Sequence, residues 1–559
     1  MWYANSFLSR AVAVAALATA LSRVLPASAQ SELWSLSIGD TGDDFVISTA
    51  VDPGGGVIVW GMFEGTIVLG PDPLVSVGGT DVFLAQYDAN GVYQWSQRFG
   101  STLDDAAFEL AVDVQGRIAI TGHHRGSINF GGGPLPFAGN TDIFIASFNA
   151  DGTHRWSKGF GSAPFDQGLG IATDSFGNVF ASGHFTQTVD FGGGPLVCVG
   201  VANLYVAKYN DVGDHKWSLR AGDTSCIGFS VATDASDNVL VVGQFTGTMD
   251  LGGGPLQSIG SAFDIHIAVL NNSGAHVWSR SFGDTGDDQG ISVVADSGGD
   301  VIATGYFENT VSFGSGQPLV SAGGKDIFVA KFAGPNGVKL WAQRFGDNAL
   351  DQGSGVVVDL NDNVLVTGRF SGKLTFGANK HESLGDTDIF VFQMDGFGNH
   401  QWSAAYGGHL ADGGLDIASV NPAEIVAAGY YRDTVDFGAG PQVSAGGSDG
   451  YVVKLSLPDL TSARGADAGV ALLQNEPNPF NPSTRIGFTL ERDEHVTLTV
   501  YDVRGARVAT LLDGHKPQGA HSLEWNGRDN SGRELPSGVY FYQLHAGGRS
   551  LERKAVLLK

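Results

Sequence analysis

Ten residues after each of seven regularly spaced tryptophans stand Asp44, Asp105, Asp166, Ile227, Asp288, Asp351 and Asp412, so six of the seven positions carry a carboxylate. Like charges brought together raise one another's pKa values or recruit a cation. Asp40, Asp43, Asp284 and Asp287 add acid close by. An aspartate at such a position also caps its own turn by accepting backbone N–H bonds, and that use takes precedence here. No twelve-residue loop of alternating Asp or Asn with a terminal Glu is present, so Ca2+ stays the weaker alternative and no other cofactor is expected.

A second series follows a recurring glycine: Met62, His123, His184, Gln244, Tyr306, Arg369 and Tyr430. Its residue type changes from copy to copy. The next residue does not vary in kind, being Phe63, His124, Phe185, Phe245, Phe307, Phe370 and Tyr431, which reads as packing. Polar and aromatic side chains on a rigid rim suit hydrogen bonding and stacking with a ligand, against the simpler account that rim positions drift. His123 and His184 are candidate bases or metal ligands, but neither has a partner at a fixed spacing, so a satisfied or solvated histidine is the preferred reading and no catalytic residue is assigned.

These residues need elements to hold them. Trp34, Trp95, Trp156, Trp217, Trp278, Trp341 and Trp402 recur at intervals of 61, 61, 61, 61, 63 and 61 residues. Asp81, Asp142, Asn203, Asp264, Asp326, Asp388 and Asp449 keep the same register, each opening a strand-like run such as Asp326 to Phe332. Within one copy the Trp278 strand, Gly290 to Asp296, Val301 to Phe307 and the Asp326 run alternate with turn residues and show no helical period. Four strands per repeat make a propeller blade. The series begins with a Trp strand and ends at Asp449 to Lys454 without one, so the N-terminal strand is expected to close the seventh blade and hide its edge. The junction aspartates then enter each innermost strand and should ring one mouth of the channel, beside the variable rim.

The chain of 559 residues is 16% charged and 42% hydrophobic, the composition of a folded protein, and its 82 glycines without a three-residue period indicate turn after turn. A net charge of -26 repels phosphate backbones, so no nucleic-acid partner is expected. Residues 1–29 hold Arg10, an apolar run from Ala11 to Leu21 and Ala27-Ser28-Ala29, the pattern of a secretory signal peptide. A mature start at Gln30 and no transmembrane segment are expected. Export makes a disulfide between Cys198 and Cys226 the expected use of the two cysteines, at the irregular junction where Ile227 replaces aspartate.

The Gly-Asn-Val, Asp-Ile-Phe-Val-Ala-Lys and Trp-Ser-Xaa-Xaa-Phe-Gly motifs over residues 30–457 resemble the bacterial extracellular β-propeller repeat family, which implies a fold and little chemistry. Residues 458–469 read as a linker. Beyond it, Pro477-Asn478-Pro479-Phe480-Asn481-Pro482, Val500 to Gly505, Trp525, Ser537 to Tyr542 and the terminal Lys554 to Lys559 resemble the C-terminal sorting domain of type IX secretion substrates. They also resemble the Ig-like domain of the flagellar hook-capping protein. The resemblance implies an all-β chain, a seven-bladed propeller followed by a small Ig-like β-sandwich over 470–559, with the secretion machinery as partner of the tail. The expected product is a secreted or surface-attached binding propeller for a glycan, peptide or cell-surface partner; an extracellular propeller hydrolase or lyase, and a purely structural surface protein, are the alternatives.

Overall fold

The computed structural model describes residues 30–314, 316–377, 379–458, 471–473, 475, 478–490, 492–502, 506–517, 519–546 and 549–558. The expected signal peptide and residues 459–469 of the expected linker lie outside them. The chain divides into two compact units, Gln30–Pro458 and one built from the residues after it.

Among its described residues the larger unit forms seven four-stranded antiparallel sheets. Sheet one runs Phe45–Val51, Val57–Phe63, Asp81–Tyr87 and Tyr93–Phe99, and five further sheets repeat that order. Sheet seven takes Gly413–Asn421, Glu424–Tyr431 and Asp449–Ser456, and its outer strand is the N-terminal Ser31–Ile38. Trp34 lies opposite Lys454 and Ile38 opposite Gly450 in that pairing. First strands of successive sheets touch in sequence order, and Gly413–Asn421 touches Phe45–Val51, so the array closes as a β-propeller.

Burial explains the strand types. Second and third strands, sandwiched between neighbouring sheets, are apolar on both faces: every residue of Asn203–Tyr209 is buried, and all but His184 of Val179–Phe185. Outer strands such as Tyr93–Phe99 are only partly covered. The glycine-rich excursion between second and third strands is itself a small hairpin in six sheets, for example Thr188–Asp190 with Pro195–Val197.

Each first strand carries a β-bulge at the same place: the register slips between Val46 and Ser48, Ala107 and Leu110, Gly168 and Gly170, and likewise in the remaining four sheets. A bulge re-aims side chains and adds local twist. At the slip, Ile47, Phe108, Leu169, Phe229, Ile291, Ser354 and Leu415 line a cavity of about 160 Å³, joined in five of the sheets by the residue that follows: Ser48, Glu109, Ser230, Ser292 and Asp416.

The second unit forms two sheets, Ala471–Leu472 with Thr484–Leu490 and Gly519–Trp525, facing Arg507–Lys516, Glu494–Asp502, Gly538–Ala546 and Arg549–Leu557. Alternate residues of its strands point inward: Val496, Leu498, Val500, Tyr542 and Leu544 are buried around Trp525 and Phe480. Phe480 pairs its backbone with Val556 and Leu558 at 2.9 and 3.0 Å, so the proline-flanked entry segment runs along the terminal strand.

Candidate functional site

The junction aspartates are not an open ring at the mouth. Asp44, Asp105, Asp166, Asp288, Asp351 and Asp412 are at most 1% exposed. In five of them each carboxylate accepts two backbone N–H bonds, one from four residues earlier and one from the far hairpin: Asp166 takes Ser162 N at 2.5 Å and Thr186 N at 2.6 Å, and Asp412 takes Gly408 N at 2.7 Å and Arg432 N at 2.7 Å. Asp44, Asp105 and Asp288 do the same. Asp351 accepts Asp347 N at 3.0 Å. These oxygens latch loops together, and among the described residues no three His, Cys, Asp or Glu side chains converge on a metal position. Their hydrogen bonds are those of the turn-capping reading.

Sheet four corrects the alignment of that series. Asp166 N donates to Thr141 O, Asp288 N to Phe263 O, and in the same way Cys226 N donates to Ala202 O. Cys226, one residue before Ile227, thus occupies the aspartate's place after a one-residue shortening of the loop. It is wholly buried near Met249, with Sγ to Sδ at 3.9 Å, while Cys198 follows the small Pro195–Val197 strand and packs on a different hydrophobic cluster. Both thiols are free, so the expected disulfide is absent. Burial pushes the Cys226 thiol up to about 12 and also raises that of Cys198.

The variable series lies where expected, at the end of each second strand, paired with the first residues of the innermost strand. His184 faces Gln167, Gln244 faces Ile227, Tyr306 faces Gln289 and Arg369 faces Gln352. All seven are partly exposed except Gln244, which is buried. The structure also ties them across sheets. Gln289 donates to Gln244 at 2.7 Å, Gln167 meets His123 Nδ1 at 3.2 Å, and Arg369 reaches Gln352 at 3.0 Å and the Tyr430 hydroxyl at 3.4 Å. Tyr430 in turn meets the Phe45 ring edge-on at 5.3 Å, and Lys325 sits 4.1 Å over Tyr306. Met62 packs on the cluster around Trp60.

Two of these groups are electrically neutral at ordinary pH. Burial holds His123 and His184 down at about 4, with His124, His184 and Arg125 adding to the effect at His123. Nδ1 of His184 is buried without a hydrogen-bond partner. A neutral imidazole both donates and accepts, so this face offers imidazole, amide, phenol and one guanidinium, a set suited to neutral polar groups.

One functional layer escaped sequence reading. Beside the bulges, Glu109 accepts Ile171 N at 2.7 Å and the Ser230 hydroxyl at 3.2 Å, and Asp416 accepts Thr49 N and the Ser48 hydroxyl, each at 2.8 Å. Ser48 accepts Leu110 N and Ser292 accepts Val356 N, both at 3.2 Å. Each holds the next sheet around the ring. Burial, opposed by these bonds, pushes both carboxyls up, and at Glu109 the nearby Asp416 adds to the rise. The available signal was a small or acidic residue four places after each junction residue: Ser48, Glu109, Gly170, Ser230, Ser292, Gly355 and Asp416.

Known proteins resemble the chain in its parts. The FlgD Ig-like domain model matches residues 476–549. An uncharacterized WD repeat-containing protein of Acanthamoeba polyphaga mimivirus is 21% identical over 502 residues, 72% of this chain, and the chain spans about a third of that relative, 36% of its length. Among solved structures, the Neurospora crassa Pan2 WD40 domain aligns over 78% of this chain and 97% of its own at 8% identity and TM-score 0.37. PorZ, a surface component of the type-IX secretion system of Porphyromonas gingivalis, aligns over 92% and 81% at 11% identity and TM-score 0.20. The chain is an all-β propeller carrying a FlgD-type Ig-like domain.

Proposed function

We propose that this is a secreted or surface-attached binding protein of the extracellular propeller repeat kind, whose variable mouth engages a neutral glycan or peptide and whose Ig-like domain serves export through the type IX machinery. The observation that carries the reading is the contrast within the repeat. The latches and packing residues recur from sheet to sheet, while Met62, His123, His184, Gln244, Tyr306, Arg369 and Tyr430 differ at one geometric position on a rigid rim.

Glycan and peptide arrays probed with the full chain and with His123→Ala, Arg369→Ala and Tyr430→Ala variants test the binding half. Ligands retained by the native chain and lost by the variants, at unchanged melting temperature, support it; equal binding by all four proteins favours a structural role. Intact mass of the protein from its host's surface and medium tests the export half. A chain that starts at Gln30 and lacks most of residues 470–559 is the expected product. An intact tail makes the Ig-like domain a permanent module.

A further inference from the structure

At six of the seven junctions two buried aspartates meet, one opening the third strand of a sheet and one entering the next sheet. Four of these pairs have no arginine partner: Asp449 with Asp44, Asp142 with Asp166, Asp264 with Asp288, and Asp388 with Asp412. None of the eight is more than 2% exposed. At the third pair the two carboxyls flank one bare glycine: a Cβ on Gly283 would lie 2.7 Å from Asp264 Oδ1 and 2.8 Å from Asp288 Oδ2, and Gly39, Gly161 and Gly407 lie in the same way against Asp449, Asp142 and Asp388. In each third-strand aspartate Oδ2 accepts a backbone N–H, from Ala138, Ile259, Leu384 and Ala445 at 2.7 to 3.1 Å. Among the described residues Oδ1 is buried in all four with no partner at hydrogen-bond distance, the Ser37 hydroxyl being the polar group near Asp449.

The seventh junction shows what belongs at that atom. There Asn203 replaces the third-strand aspartate and Cys226 its mate. Asn203 Oδ1 accepts Val199 N at 2.8 Å, as the aspartate Oδ2 does, and Nδ2 donates to the carbonyls of Val199 and Ala202, both at 2.9 Å. The place of the orphaned oxygen is therefore a donor's place, lined by acceptors. A carboxylate oxygen cannot donate; a carboxylic acid hydroxyl can.

We propose that each of these four junctions holds one shared proton, carried on the third-strand aspartate as a carboxylic acid, so that closure of the ring is tightest in mildly acidic medium and loosens as the protons leave. Burial raises both members of every pair, Asp264 to about 6 and Asp288 to about 8, Asp142 to about 6, Asp44 and Asp412 to about 7. The two backbone N–H bonds that Asp44, Asp166, Asp288 and Asp412 each accept hold those groups as carboxylates, so the proton the pair shares sits on the third-strand member. The other titratable groups facing the pairs do not supply a counter-charge: Asp40 and Tyr431 at the first, Cys198 and Tyr205 at the second, Asp284 at the third, and Asp433, Tyr431 and Tyr451 at the fourth. Three bases lie close by without pairing to a carboxyl of the four junctions: His124, opposite Asp142 across the strands and held neutral by burial, with its Nδ1 on Gly126 O; Arg432, whose guanidinium is taken by Ser448 and Asp43; and His409, near Asp388. Because the folded pKa values lie above the unfolded ones, this stabilisation is complete below about pH 4 and is lost as pH rises through 6 to 8.

Asp142→Asn and Asp264→Asn copy the arrangement of Asn203 and test the idea in the full chain. Each variant should melt with the native protein near pH 5 and above it near pH 8.5, with about one proton less taken up on folding per junction. Infrared spectra of the native chain near pH 6 should show a protonated-carboxyl band that weakens in the variants. Parallel melting curves across that pH range, or no such band in the native chain, overturn the proposal. A melting temperature at pH 8 that rises with millimolar calcium in the native chain but not in the variants overturns it too, by making a cation the counter-charge.

Discussion

The indole of Trp34 lies on Gly91 of the neighbouring sheet. Gly91 has φ +78°, and a Cβ there would sit 2.8 Å from Trp34 Cδ2. The indole N–H donates to Ala89 O at 3.2 Å, and Trp156, Trp217 and Trp341 repeat the contact on Gly213, Gly274 and Gly398. The most regular residue of the repeat is thus a bolt between sheets. Gly91→Ala adds a methyl where both the backbone conformation and the indole forbid it, at the strand that closes the ring. A loss of about 1–3 kcal/mol is expected, read from the urea midpoint.

Glu109 is a latch that needs its shape more than its charge. Glu109→Ala leaves the Ile171 N–H and the Ser230 hydroxyl without their acceptor and should cost about 1–3 kcal/mol. Glu109→Gln keeps a carbonyl acceptor, and because burial already pushes the carboxyl up, it should cost much less. Equal losses in urea melts of the two variants would show that the charge itself holds the sheets.

The buried histidines act on stability in the opposite sense to the aspartate pairs. His184 is held neutral down to about 4 in the folded state, below its ordinary value of 6.5, so folding excludes a proton that the unfolded chain takes up. The stability this supplies is present above about pH 6.5 and is lost as pH falls towards 4. His184→Gln should therefore lose less stability than the native chain between pH 6.5 and 4.5, as measured by denaturant midpoints.

Cys198 and Cys226 should both titrate with a thiol reagent in denaturant without reductant. In the folded protein Cys226 should be inert, since it is fully buried and its thiol is pushed up to about 12. A mass two protons lower, with no thiol signal in denaturant, would restore the disulfide.

Much of the fold was legible because a repeat compares a sequence with itself. Seven tryptophans in register, four strand-like runs per copy and the missing last Trp strand gave the closed propeller, and Val496, Leu498 and Val500 alternate onto one face of the Ig-like domain, the face the structure buries. The bulges stayed hidden for the same reason. An extra residue present in every copy leaves no irregularity to notice, yet at that slip stand Phe108 and Glu109, which both line the cavity while Glu109 also holds the next sheet.

Sequence by itself determined the four main strands of each copy, the order in which they pair and the positions free to vary, since these follow from local periodicity and from comparing copies, while the small hairpins between second and third strands came only with the structure. Only the tertiary structure decided what the acidic residues do. Whether a carboxylate is a ligand on an open rim or a latch between sheets depends on which backbone N–H groups come within about 3 Å of it, and those come from loops some twenty residues away, as Thr186 does for Asp166. The same closure put Cys226 in an aspartate's place rather than beside Cys198, because pairing with Ala202, not counting from Trp217, fixes the register there.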